Sequence, residues 1–212
     1  KRQALYVLLR FIFTVFGFEV AFGGLPLATL LMVLAVAGMV VGSWVAMYEP
    51  NLKRLLAYSS VAQVGYLVLG VSLVSAVGLT ATFVHLFNHA LMKAALFMAV
   101  GTAMCRVGSA QIEDFYGLGR QMPWTMTGFA LAGLSLIGVP GTAGFISKWY
   151  LILAAIEGGH VALVALILAT SFMAVYYIWR VIEAAWFKPR PADAAEVSEA
   201  PLSLLIHEYF WR

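Results

Sequence analysis

The sequence predicts an all-α, polytopic transmembrane bundle of about six helices, one of them discontinuous. Three observations carry this. The chain is 63% hydrophobic and 11% charged, against roughly 25% charged for an ordinary globular domain, and its mean hydropathy is +0.92. The apolar residues gather into runs of about the 20 residues that cross ~30 Å of hydrocarbon as a helix. The basic residues outside those runs fall at alternate connections. Membrane strands need only about 9–11 residues, so runs of this length exclude a barrel.

The elements follow in order. Residues 3–18 form the first apolar run, and the next are 27–47, 55–74 and 79–104. The fifth, 122–156, is too long for one straight span, because a helix of that length would reach roughly 50 Å. It contains Gly138-Val139-Pro140-Gly141-Thr142-Ala143-Gly144. Proline removes a donor and glycine loosens the backbone, so the helix should break there. The remainder, 145–156, is too short to span alone, which leaves one discontinuous helix unwound at membrane depth. Such backbone is tolerated only where it is buried in protein or lines a watery cavity, and in transporters it marks substrate or ion sites. The sixth run is 161–187. Residues 1–187 thus read as a membrane domain and 188–212 as a Pro-, Ala- and acid-rich tail, expected to be mobile at its start.

Charge sets the orientation. Lys1, Arg2, Lys53, Arg54, Arg106, Arg120, Lys188 and Arg190 fall on one side, and Glu19, Glu157 and His160 on the other. The basic side is expected in the cytoplasm, and the tail with it. The protein therefore reads as integral to a membrane, the bacterial inner membrane being the expected one. The net charge of +3 calls for no nucleic-acid partner, since the cations sit at helix ends and inside helices. Cys105, the single cysteine, excludes an internal disulfide framework and a multi-cysteine metal cluster, and reads as a small apolar residue. No cleavable signal pattern is visible, and a chain that opens on Lys1 within a few residues of an apolar run reads as a piece of a longer protein.

Function is sought in the charges that lie inside apolar runs, namely Arg10, Lys93, Lys148 and Arg180. A charge at the bilayer centre costs ~2.5–3.5 kcal/mol on insertion scales, and such residues usually mark an ion or proton pathway. His85, His89 and Lys93 are spaced i, i+4, i+8, so they share one helix face with Asn88 beside it. They climb ~12 Å along it, and histidine titrates near neutral pH. That suits a proton relay better than two packing histidines and a snorkelling lysine, because Lys93 has apolar residues for several turns on both sides. Lys148 opens the second half-helix, four residues after Gly144, and is the second candidate carrier. Lys53, at the cytoplasmic mouth of its helix, is a candidate for proton uptake as well as an interface anchor. Arg2 and Arg10 repeat the i, i+8 spacing and are further candidates, Arg10 more as a fixed charge than as a carrier. Arg180 and Glu183 read as a local ion pair. Ser59, Ser60 and Gln63 form a polar patch suited equally to helix packing or to water.

Other chemistries find little support. His85-x-x-x-His89 lacks the glutamate of the zinc-protease helix, with Leu86 in its place, so no metal site is expected. Ser147 has no base placed beside it in sequence and no G-x-S-x-G elbow. No Walker A loop, dinucleotide fingerprint or iron–sulfur cysteine set appears, so no cofactor is expected in this chain and any redox group belongs to a partner.

Three stretches resemble a known family. Lys53-Arg54, Ala57-Tyr58-Ser59-Ser60 and Gly65 fit K-R-x-x-A-Y-S-S/T-x-x-x-x-G. His85, His89-Ala90, Lys93-Ala94 and Leu96-Phe97 fit H-x-x-x-H-A-x-x-K-A-x-L-F. Gly138, Pro140, Gly144-Phe145 and Lys148 fit G-x-P-x-x-x-G-F-x-x-K. These are similar to the antiporter-like, proton-conducting subunits shared by respiratory complex I, membrane-bound hydrogenases and Mrp-type sodium/proton antiporters. The stretch 88–93 and the region 176–186 lean slightly toward the Mrp-type members.

The resemblance implies the second half of an inverted-repeat transporter fold, from its eighth helix through its thirteenth. It implies that His85, His89 and Lys93 line a central hydrophilic axis and that Lys148 is the terminal, proton-exchanging lysine. The family's membrane lysine in the eighth helix falls by count on Arg2, with Lys1 adjacent. The implied partners are other membrane subunits of a multisubunit antiporter or of an NADH-quinone oxidoreductase-like complex, the lipid bilayer, and protons with or without sodium. The chain is not expected to be catalytic alone. Two rival readings are a redox-complex component that contacts quinone, and a scaffold whose buried charges only hold helices together.

Overall fold

The computed structural model of the chain describes Val7, Arg10 and residues 26–191 and 196–199. Among these residues all regular structure is helical, apart from one isolated bridge between Asn51 and Gln111. The helices are α1 (Leu27–Tyr48), α2 (Leu52–Ser72), α3 (Ala76–Val107), the short α4 (Leu118–Gln121), α5 (Pro123–Ile137), α6 (Ala143–Glu157) and α7 (Val161–Trp186), with a 3-10 turn at Ile112–Phe115. The apolar run 3–18 lies outside the described residues except for Val7 and Arg10, both helical and exposed.

Four helices, α1, α2, α3 and α7, are long and apolar enough to cross a membrane. α5 and α6 have 15 residues each, about 22 Å apiece, so they cross only as a pair. The predicted discontinuous helix is therefore present, with its break at residues 138–142. Large apolar side chains such as Phe83, Phe87, Leu91, Leu131, Leu168 and Phe172 are exposed on the outside, as a lipid-facing surface requires and water would not tolerate at this density. The chain is an integral membrane protein.

Capping fixes the helix starts. The Asn51 side chain accepts from the backbone N–H groups of Lys53 and Arg54 at the start of α2, and the Ser75 hydroxyl accepts from Gly78 N at 2.9 Å at the start of α3. These caps satisfy donors that a helix end leaves open. They also start α2 and α3 three residues earlier than hydropathy alone suggests. Within the bundle α2 is the central element: 72% of its spanning window is buried, against 33% for α1, α3 and α7.

The basic connections gather at one end, as the charge asymmetry requires. Leu52 N donates to Ala110 O at 2.8 Å and Ile112 N to Pro50 O at 3.0 Å, joining the α1–α2 and α3–α4 connections. Arg190 donates to Asp114 O at 3.1 Å and Lys188 to the Tyr116 hydroxyl at 3.3 Å. The start of the tail is thus tied down where the sequence suggested a mobile segment. Glu199 also returns to the bundle and accepts from Trp124 N at 3.0 Å and Thr125 N at 3.3 Å. α5 starts with Pro123 and has no side-chain cap of its own, so a distant carboxylate meets its open N–H groups and the positive end of its dipole.

Arg180 departs from its expected pairing with Glu183. Its guanidinium donates instead to Met47 O, one of the open carbonyls in the last turn of α1. Arg54 and Glu49 form an ion pair at 3.5 Å.

Candidate functional site

The break in the discontinuous helix is built by backbone constraints that only particular residues meet. Gly138 ends α5 at φ +90°, its N–H closing on Leu134 O and Ser135 O at 3.1 Å. This is the left-handed position that favours glycine. Thr142 caps α6, its hydroxyl oxygen accepting from Phe145 N at 3.4 Å. Gly144 lies so close to α5 that a Cβ there would come within 1.8 Å of Ser135 O. The break is locked to α3 by the Asn88 amide, which donates to Ala143 O at 2.6 Å.

Lys148 sits one turn into α6 and points back across the break. Its Nζ donates to Ile137 O at 2.8 Å and to Ser171 Oγ on α7 at 2.9 Å, and lies 4.9 Å from the centroid of the Tyr66 ring. The residue is 5% exposed. Sequence reasoning set Lys148 against the positive end of α6. The folded chain also gives its ammonium a free carbonyl at the negative end of α5.

The hydroxyls around Lys148 have a fixed direction. Thr170 gives its proton to Leu166 O at 2.8 Å, so it accepts from the Tyr66 hydroxyl at 2.7 Å. Ser171 accepts from Lys148 and lies 3.5 Å from the Tyr66 oxygen. The series runs from Lys148 to a helix carbonyl and ends there. It can hold the lysine in place but leads nowhere further.

Lys93 occupies a second polar cell. It is 5% exposed, and its Nζ donates to Leu56 O at 2.9 Å and to Ser59 Oγ on α2. Ser59 gives its own proton to Leu56 O at 3.0 Å. Both lysines therefore aim into the bundle, and snorkelling to the interface does not describe them.

The histidines stand between these cells on the same face of α3. The rings of His85 and His89 are stacked, 6.3 Å apart with an interplanar angle of 6°. His85 Nδ1 lies 2.8 Å from Ser147 Oγ, and that hydroxyl gives its proton to Gly144 O at 3.0 Å. Nδ1 must then donate, which leaves Nε2 of the neutral ring as its proton-accepting nitrogen. The ring of Tyr66 packs on His85 at 5.7 Å between centroids.

The structure thus buries Lys93, Lys148 and His85 inside the bundle, with His89 half-buried and stacked on His85. Lys53 is not part of it: the residue is exposed at the start of α2, about 9 Å along the axis from Ser59. Arg10 is helical and exposed, and Arg2 lies outside the described residues. No group of three or more His, Cys, Asp or Glu residues suited to a metal occurs among the described residues. The sequence did not single out Tyr66, Thr170 or Ser171. Tyr66 lies seven residues beyond Ser59 and three beyond Gln63, on the same face of α2, and that spacing was the available signal. Thr170 and Ser171 are two small polar residues in an apolar run, with nothing local to distinguish them from packing residues.

Residues 2–174 match the family described as NADH:quinone oxidoreductase/Mrp antiporter, TM. An NADH-quinone oxidoreductase subunit N from Desulforudis audaxviator is 41% identical over 198 residues, which cover 91% of this chain and 38% of that protein. One from Chlorobium chlorochromatii is 37% identical over 183 residues, covering 84% and 36%. This chain therefore spans less than two fifths of the length of these relatives. Both are oxidoreductase subunits, where sequence reasoning leaned slightly to the Mrp type; the family description covers both assemblies. Among solved structures, the Mrp complex from Dietzia sp. DQ12-45-1b is similar at a TM-score of 0.76 and 31% identity, over 81% of this chain and 32% of that one. The membrane-bound sulfane sulfur reductase, an archaeal respiratory membrane complex, is similar at 0.77 and 36%, over 85% and 37%. Respiratory complex I from Thermus thermophilus shares the fold at 0.75 and 24% identity, over 86% and 39%. With the match running from residue 2 to residue 174, the chain belongs to the transmembrane family of NADH:quinone oxidoreductases and Mrp antiporters.

Proposed function

We propose that this chain is the proton-moving part of a membrane subunit in an NADH-quinone oxidoreductase-like complex or an Mrp-type cation/proton antiporter. In this reading Lys148 and Lys93 exchange protons and His85 and His89 relay between them. Lys53 lies at the cytoplasmic mouth, with uptake there as its role. The other membrane subunits supply the driving force, by redox chemistry in the one case and by sodium counterflow in the other. The membrane is the bacterial inner membrane, with the basic end in the cytoplasm.

One observation carries the reading: two lysines are buried inside an apolar bundle, and each donates to a backbone carbonyl and a hydroxyl among the described residues. Two histidines on a single helix face lie between them. Stability alone would favour apolar side chains of the same volume at such sites. Neutral acceptors let an ammonium lose its proton without leaving a buried anion behind.

The test is Lys148→Met in the assembled complex, reconstituted in vesicles with a pH-sensitive dye. Proton movement should fall at least about tenfold, equivalent to ~1.4 kcal/mol of barrier, with assembly unchanged. A scaffold role predicts the reverse, impaired assembly with transport intact in what does assemble. A normal pH gradient from the variant refutes the proposal.

A further inference from the structure

A cleft at the basic end of the bundle is lined by three cations. Arg120 of α4 meets Lys188 and Arg190, which follow the end of α7, around a cavity of about 290 Å³ whose walls include Gln121 and Phe187. No Asp or Glu lines it among the described residues. Of the acids at this end, Glu113 and Asp114 line a separate cavity of about 200 Å³ that also touches Arg190, and Glu199 is engaged at the start of α5.

The walls of the cleft are fixed by the fold. Gly117 N donates to Ala184 O at 3.1 Å and fastens the turn before α4 to the last turns of α7. Gly117 stands at φ +69°, and a Cβ there would come within 2.8 Å of Arg190 N, so the chain at Arg190 runs directly against it. Arg190 donates to Asp114 O and Tyr116 O at 3.1 and 3.4 Å. Lys188 Nζ donates to the Tyr116 hydroxyl at 3.3 Å and lies 4.7 Å from the centre of that ring. A hydroxyl and a ring position the Lys188 ammonium without neutralising it. Arg120 is exposed and forms no ion pair among the described residues.

Like charges gathered around one cavity repel, and a cleft lined by one sign of charge draws in counter-ions. Position selects the anion. α5 starts at Pro123, two residues past Gln121, and α7 ends at Trp186, beside Phe187. The cleft therefore opens where helices of the bundle leave the hydrocarbon. Phe187 is 70% exposed and Trp124 82%, as aromatic side chains at the headgroup level are. The volume lies at the lower end of the roughly 300–1,000 Å³ of ligand pockets, which suits a headgroup better than a nucleotide. We propose that this cleft binds the phosphate of an anionic phospholipid, held by Arg120, Lys188 and Arg190, with the acyl chains running past Phe187 and Trp124. Basic pockets between spanning helices recognise such headgroups. The site is independent of the buried lysines and of the proton-moving reading above.

The experiment counts lipids on the purified, assembled complex by native mass spectrometry, with phosphatidylglycerol, phosphatidylcholine or inorganic phosphate added. The parent should hold one phosphatidylglycerol more than the Arg120→Gln/Lys188→Gln variant. Arg120→Gln alone should weaken that binding about fivefold, the equivalent of the ~1 kcal/mol that one basic residue contributes near an anionic surface, and Arg120→Lys should restore most of it. Arg120 has no ion pair to lose, so the single variant should unfold at the parent's temperature without added lipid, which separates lost binding from lost folding. Equal phosphatidylglycerol counts in parent and variants overturn the inference. Equal retention of phosphatidylcholine overturns it too, since apolar contact alone would then suffice. Displacement of the lipid by millimolar inorganic phosphate would make the cleft a site for soluble anions and overturn the lipid assignment.

Discussion

Gly144→Ala sets two effects of opposite sign against each other, and the geometry decides between them. The position is the second residue of α6, where alanine is the better helix former by at most about 1 kcal/mol. Against that, the new Cβ would lie 1.8 Å from Ser135 O and 2.8 Å from the Ser135 carbonyl carbon. Real Cβ contacts do not fall below 3.0 Å, so the two half-helices must separate by more than 1 Å. The obstructing atoms are backbone, and no rotamer change relieves them. Overpacking of this kind costs about 1–3 kcal/mol, and the separation would also lengthen the 3.2 Å bond from Gly144 N to Ser135 Oγ. The net expectation is a loss of roughly 1–2 kcal/mol. The same displacement would stretch the 2.8 Å bond from Lys148 Nζ to Ile137 O to about 4 Å, beyond hydrogen-bond reach. Thermal unfolding in detergent should show a lower midpoint, and vesicle proton movement should fall with it. A variant as stable as the parent, or more stable, would mean that helix propensity outweighs the close approach and that the break is not held as described.

Two further predictions follow from single contacts. Ser171→Ala removes one of the two oxygen acceptors of the Lys148 ammonium; hydrogen bonds to charged groups contribute about 1.5–3 kcal/mol, so proton movement should drop several-fold or more, with Ser171→Thr restoring most of it in the vesicle assay. Glu199→Ala removes the carboxylate that meets Trp124 N and Thr125 N; amide exchange at the start of α5 should speed up by the factor that a lost cap of about 0.5–1 kcal/mol gives, with no change at the start of α6, which Thr142 caps independently.

The long-range results show where local reading stops. Arg180 and Glu183 have ideal i, i+3 spacing, yet the guanidinium goes to Met47 O, an open helix-end carbonyl on another element that spacing along one helix cannot reveal. Composition predicts a tail that is mobile at its start, and it carries no sign of the uncapped N-terminus of α5 that Glu199 meets.

The sequence by itself determined what local chemistry controls. Hydropathy and run length set the number and type of helices. The Gly-Pro-Gly stretch set the break, and i, i+4, i+8 spacing put His85, His89 and Lys93 on one face. Asymmetry of Lys and Arg set which connections gather at one end of the bundle. These follow from the cost of polar groups in hydrocarbon and from a fixed 3.6-residue period, which act within a single helix. Only the tertiary structure decided which atoms meet: Lys148 with Ile137 O, Ser171 and the ring of Tyr66, and Lys93 with Leu56 O and Ser59. Such pairings depend on the rotation and depth of neighbouring helices. Those are set by packing across the whole bundle, and a lone Ser, Thr or Tyr in an apolar run carries no local sign of the partner it will face.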